Sequence, residues 1–344
     1  MRMRPGIALS LAAPLLAAMM GGCGEDFDPT STEAANAGQL AAATAAPPCG
    51  QVSELLVPSC GAWLGAFSND HGVGGFENLM AEHEGRIGRR LDIVHGFPPA
   101  GTLPMNAAEA ARARAGQILF LNWKPAAHWA DAAGGDSVVN ARIDEAARRI
   151  GVVPRKVMLT IFHEPENDLG EAGSTADYVA MWHNVRARFD AQGVHNVVWV
   201  WDMMLRLRPE DPVLSFYPGD AYVDWIMWNP YSVDGRTSFA ARVRPAYEWI
   251  GAHSGPGHDF LAKPWGLGEW GVHAPGAPGG AFEQSYYTEA GAHLGDFPQL
   301  KALVVFDADG TLATRVDDTV AEQDSYTAFA HLPYLNQPRV LPLP

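Results

Sequence analysis

Between residues 62 and 308 the chain alternates eight times between a short apolar run and a longer helix-like stretch, and no other feature narrows its fold so far. The apolar runs are AWLGAF (62–67), RLDIVHGF (90–97), QILFLNW (117–123), KVMLTIFHE (156–164), VVWVWD (197–202), VDWIMWN (223–229), WGLGEWG (265–271) and ALVVFDA (302–308). Each is short and rich in β-branched or aromatic residues, which predicts a buried strand. The stretches between them predict helices over 75–88, 106–116, 139–151, 175–193, 238–255 and 282–295, with a last one at SYTAFAHL (325–332). Only DPVLSFYPG fills the fifth connection. Strand-then-helix repetition implies parallel strands, and eight rounds match a single-domain (β/α)₈ TIM barrel in the α/β class. The alternative is an open doubly wound sheet, but no Gly-x-Gly-x-x-Gly follows the first strand.

In a barrel of this kind, chemistry gathers where the strands end. Those ends carry His163-Glu164 on the fourth strand, Asp202 on the fifth, Asn229 on the sixth, Glu269-Trp270 on the seventh and Asp307 on the eighth. Glu164 shares parity with Phe162 and Thr160, and Glu269 with Leu267 and Trp265, so each is expected on one strand face with those neighbours. Two carboxyl groups facing each other across a mouth suit a reaction that needs one acid and one nucleophile or base. The bland reading, a hydrogen-bonded structural acid at a strand end, stands beside it for both. Glu166 and Asp168 follow Pro165 and read as loop acids.

The chain opens with a basic MRMR, an apolar stretch from Ile7 to Met20, and Gly21-Gly22-Cys23. That predicts an export signal over 1–22 of the bacterial lipoprotein type, with Cys23 as the lipidated residue. A soluble secreted protein cut nearby is the alternative. Residues 23–48 are small and Ala/Thr/Pro-rich and read as a tether, leaving 49–344 as the folded domain. In an exported domain Cys49 and Cys60 invite a disulfide, worth about 3 kcal/mol for so short a loop, although two buried thiols would read the same. The net charge of −15 argues against nucleic acid or an anionic membrane surface as partner and is compatible with a neutral ligand. Membrane association is expected only through the lipid, facing the periplasm or the exterior.

Three segments resemble glycoside hydrolase family 26, in the clan of retaining (β/α)₈ glycosidases. They are ILFLNWKP with RIDEAARRIG and FHEPEND, then VVWVWD with FYPGDAYVDWIMWNPYS, then KPWGLGEWG. The resemblance runs from about residue 61 to 307. It implies that Glu164 is the general acid/base and Glu269 the nucleophile of a double displacement. It further implies that His163 holds Glu164 or a sugar hydroxyl, and that Tyr231 hydrogen-bonds the nucleophile. Trp123, Trp129, Trp201, Trp228 and Trp270 become candidates for stacking on sugar rings, with core packing as the competing use. The expected partner is a β-linked polysaccharide or oligosaccharide, β-mannan first, then mixed-linkage β-glucan or β-xylan. No cofactor or metal is required, and a monomer is expected. Two departures, Asp202-Met203 where relatives often have Asn-Pro and Asn229 where they often have Asp, bear on substrate rather than reaction.

Two rival activities turn on motifs, and a non-catalytic sugar-binding lipoprotein on the same barrel is a third alternative. LVVFDADGTLATR (303–315) matches the first motif of haloacid-dehalogenase-type phosphatases, but too little sequence follows, and none of it is Lys. A zinc hydrolase lacks any H-x-H or H-E-x-x-H spacing.

Overall fold

The computed structural model describes residues 48–69, 75–99, 101–208, 212–274, 280–309 and 312–342. The signal segment 1–22, Cys23 with the tether up to residue 47, and Gly310-Thr311 of the phosphatase-like motif lie outside the described residues.

Nine strands are present among the described residues: β1 (Trp63–Asn69), β2 (Ile93–Gly96), β3 (Ile118–Trp123), β4 (Val157–Ile161), β5 (Val197–Met204), β6 (Trp225–Asn229), β7 (Tyr231–Ser232), β8 (Trp265–Val272) and β9 (Leu300–Ala308). Parallel pairing runs in order from β6 down to β1, then to β9 and β8. Pairing of Ile226 with Trp265 joins β6 to β8, so eight strands close into a barrel. The two-residue β7 lies outside that cycle and lengthens the β8 edge through Tyr231 opposite Gly271.

Alternation along the strands sorts the apolar residues into two cores. Ile93, Ile118, Phe120, Met158, Val198, Val200, Trp225, Met227 and Val304 fill the barrel lumen. Their neighbours Leu119, Leu121, Leu159, Trp201, Trp228 and Leu303 face the surrounding helices. Those helices are α1 (Phe76–Ile87), α2 (Ala107–Arg114), α3 (Ser137–Gly151), α4 (Pro165–Asp168), α5 (Thr175–Ala191), α6 (Phe239–His253), α7 (Ala281–His293) and α8 (Val320–Ala330). Their starts follow capping chemistry: Asp136 accepts from the Val138 and Val139 amides, and Ser174 forms a capping box with Asp177. The fifth connection carries two short 3₁₀ turns, Val213–Phe216 and Asp220–Tyr222, in place of an α-helix. The single turn α4 falls directly after Glu164, with Pro165 at its first position.

Residues before β1 close the other end of the barrel. Leu56 enters the lumen core, and the Leu56 and Leu55 carbonyls accept from the indoles of Trp63 (2.7 Å) and Trp225 (2.6 Å). A disulfide joins Cys49 to Cys60 around this plug.

Candidate active site

Glu164 reaches the mouth through irregular backbone. β4 ends at Ile161, and both Phe162 (φ 53°) and Glu164 (φ 48°) are left-handed, costly for residues with a Cβ. The turn at Phe162 breaks the expected parity. Phe162 swings outward against Trp129, and Glu164 faces the mouth. Its backbone amide donates to the Asp202 carbonyl (2.9 Å). Asn229 donates to its Oε1 (3.0 Å), and Asn167, on α4, donates to its Oε2 (2.9 Å).

Glu269 is delivered by a β-bulge. The register between β8 and β9 shifts between Leu267 and Trp270, so Gly268 and Glu269 together oppose a single β9 residue. Leu267 and Trp270 both face the helix layer, which corrects the expectation that Glu269 shares a face with Leu267 and Trp265. Gly268 is required here: a Cβ would stand 2.7 Å from Asp202 Oδ1 and 3.0 Å from Asn229 Oδ1. Glu269 is 5% exposed. Tyr231 donates to its Oε2 (2.5 Å), and its amide donates to Asn229 Oδ1 (2.8 Å). Its Oε1 has no hydrogen-bond partner within the protein, and His163 Nε2 lies 3.5 Å away. One carboxamide, that of Asn229, thus ties the two glutamates together.

Burial governs the electrostatics of this cluster. It raises the Glu164 pKa against the opposing hydrogen bond from Asn229. Burial and then the Glu164 charge push Glu269 up to about 8, against the Tyr231 hydroxyl. Two buried carboxyls that feel each other's charge titrate as a unit, and the first proton to leave makes the second harder to remove. Burial, aided by the Lys124 charge, pushes His163 down to about 3, so its imidazole is neutral and its contact with Glu269 is not an ion pair. Asp202, fully buried, is held well above the carboxylate range by burial and then by the charges of Glu269, Glu164 and Glu166, against the opposing pull of the Asn229 carboxamide.

The remaining sequence candidates sort by strand face. Trp123, Trp201, Trp228 and Trp270 point into the helix layer, and Trp129 packs in a loop against Phe162, Tyr178 and Phe216. All five are 0% exposed, so in this structure they are core and present no face to a sugar. Glu166 is not a solvated loop acid: it is largely buried, accepts from the Met204 amide (3.3 Å), and burial pushes it up to about 8. Asp168 pairs with Lys124 at 2.9 Å. Asp307 lies buried among His83, Arg86, Ser68 and the Val316 amide, fully engaged as a structural anchor and not as a phosphoryl acceptor.

Sequence reasoning gave no role to Asn167, although an Asn three residues after a glutamate that precedes Pro is the pattern of a one-turn helix folding back on it. The bridging role of Asn229 has no local signal, because its two partners lie on other strands. Among the described residues no group of three or more His, Cys, Asp or Glu is arranged to hold a metal ion.

No family model and no curated protein sequence matches the chain. Solved structures do. The catalytic domain of the Bacillus sp. JAMB-750 GH26 endo-β-1,4-mannanase is similar, with a TM-score of 0.62 at 14% identity, over 81% of this chain and 88% of that one. A GH26 β-mannanase from Bacteroides ovatus gives 0.56 at 15%, over 82% and 90%. The β-mannanase of a symbiotic protist of the termite Reticulitermes speratus, solved with a gluco-manno-oligosaccharide, gives 0.55 at 12%, over 86% and 99%. The chain has the fold of these enzymes.

Proposed function

We propose that the protein is a retaining glycoside hydrolase of the family 26 type that cleaves a β-linked polysaccharide, with β-1,4-mannan as the first substrate and internal cleavage as the mode. The observation that carries this reading is the pair of glutamates, Glu164 half-buried and Glu269 buried, brought from beyond β4 and from β8 onto the two ends of one asparagine side chain. The neighbours' fold and their mannan-directed activity support the choice of substrate.

In this mechanism Glu164 protonates the glycosidic oxygen while Glu269 attacks the anomeric carbon. The bond to the leaving sugar breaks, and a glycosyl ester forms on Glu269. A water molecule gives its proton to Glu164 and attacks the same carbon, which releases the sugar with retained configuration. One proton held between the two carboxyls is the starting state this requires. The Tyr231 hydroxyl favours charge on Glu269, and burial favours the neutral form of Glu164. Neutral His163 offers an N–H to Glu269 or to a sugar hydroxyl without adding charge.

The test is product release by the purified protein and its Glu269→Ala variant from β-mannan, galactomannan, mixed-linkage glucan, xylan and cellulose. Release from one glycan, lost in the variant, supports both the reaction and that substrate. Binding without release from any of them would favour a sugar-binding protein. We also propose export with a lipid on Cys23, supported by the basic, apolar and Gly-Gly-Cys order of the first 23 residues. Incorporation of labelled fatty acid that is absent from the parent protein, or that survives Cys23→Ser, would refute it.

A further inference from the structure

Beside the cluster, at the ends of β3 and β4, lies a cavity of about 470 Å³ lined by Lys124, His128, Arg142, Phe162, Asp168 and Glu171, with small alanines between them. The volume falls within the range of about 300–1,000 Å³ usual for small-molecule sites. None of His163, Glu164, Tyr231 and Glu269 lines it. It is a chamber next to the reacting groups and not part of them.

Its chemistry points to one class of ligand. Lys124 and Arg142 are donors, and Asp168 and Glu171 are acceptors, so the formal charges cancel and no net field selects an ion. Lys124 is already balanced by Asp168 at 2.9 Å and lies over the Phe162 ring at 4.8 Å from its centre. Arg142 gives one hydrogen bond, to the Pro125 carbonyl (3.1 Å), and is paired with no carboxylate among the described residues. Its remaining planar donors suit two neighbouring hydroxyls. Fixed donors and acceptors above a lining that is mostly apolar match a neutral pyranose, which shows hydroxyls at its rim and C–H groups on its faces.

We infer that this chamber binds a neutral monosaccharide branch of the polysaccharide main chain. This rests on the glycoside hydrolase reading and extends it: the preferred substrate is decorated. Phe162 belongs both to the chamber wall and to the left-handed turn that delivers Glu164. An occupied chamber therefore holds the branch within one residue of the His163-Glu164 pair.

The experiment compares kcat/KM on galactosylated and bare manno-oligosaccharides of equal main-chain length, for the full protein and for Ala127→Trp and Arg142→Gln. Ala127 is exposed and lines the chamber, so an indole there fills it without entering the core. The expected result is a drop of about tenfold in the ratio of branched to bare kcat/KM in Ala127→Trp, with the bare substrate unchanged. Equal losses on both substrates would make the chamber a main-chain subsite and overturn the inference, as would no loss on either. If the parent protein cleaves neither, the functional reading fails separately. The chamber is then judged by ligand-detected NMR with the methyl glycosides of galactose, glucose and xylose. Binding that Ala127→Trp abolishes supports it, and no binding of any of the three overturns it.

Discussion

The ends of β4 and β8 solve one problem in opposite ways. Each must bring a glutamate into the barrel mouth where regular strand geometry stops. β4 does it by leaving the strand: two left-handed residues and a one-turn helix swing Glu164 into place, and side-chain amides from two elements hold it. β8 stays in the sheet and takes up an extra residue, and Glu269 is held by its own backbone amide and by Tyr231 on the short β7. Glu164 thus sits on an irregular turn outside the sheet and Glu269 within the hydrogen-bonded sheet. That division suits an acid that must follow a departing oxygen and a nucleophile that must hold its line to one carbon.

The largest test of the contrast is chemical. Both Glu164→Ala and Glu269→Ala should lose about 10⁴-fold or more in kcat on polysaccharide. With an activated aryl glycoside and added azide the two should separate: Glu164→Ala yields the glycosyl azide of retained configuration, and Glu269→Ala the inverted one. The same anomer from both variants would erase the assigned roles. Next comes Gly268→Ala, whose new methyl must displace Asp202 or Asn229. It should cost about 1–3 kcal/mol in thermal unfolding, and about a hundredfold in kcat through misplacement of Glu269. Gly85→Ala on α1, with open space around it, is the control: it should leave kcat unchanged and stabilise by about 0.5–1 kcal/mol. Between the holding groups, Tyr231→Phe should lower kcat by about 10²-fold. Asn167→Ala should lower it by only about threefold to tenfold, since one of two hydrogen bonds to Glu164 remains. A reversed order would make the loop, and not the strand, the rigid partner.

A subtler test reads the electrostatics. Replacing Glu164 by Gln removes the charge that helps to raise Glu269, so the Glu269 pKa should fall from about 8, as seen by carbon-13 NMR of the labelled carboxyl. Stability carries the same signature. Glu166, Glu269 and Glu322 have folded pKa values of about 8, 8 and 9, above their unfolded values. Their stabilising contribution is complete below the unfolded carboxyl pKa and is lost as pH rises through 8 to 9. The melting temperature should therefore fall between pH 6 and pH 9, and Glu322→Gln should flatten that fall.

Much of this was legible in sequence, and the failures share a cause. The alternation that defined eight strands also located Glu164 and Glu269 at strand ends, because period and chain order are local properties. Parity failed at Phe162 and at Glu269, because a left-handed turn and a bulge reset it without any residue that announces them. The bulge leaves one trace, the glycine at 268, which is unreadable until Asp202 and Asn229 are known to lie beneath it. The tryptophans were visible as aromatic residues at strand ends. Which face they occupy follows from their neighbours Asn122, Asp202 and Asn229, the polar residues that take the lumen side instead. Asn229 bridges three strands, and no single stretch of sequence encodes such a contact.

The closed core gives the protein a particular optical behaviour. All eleven tryptophans are buried, none more than 9% exposed. Their emission should lie to the blue, resist acrylamide quenching and change little when a sugar occupies the mouth. It should move to the red only when the barrel opens, so indole light reports the integrity of the fold and is nearly blind to the ligand.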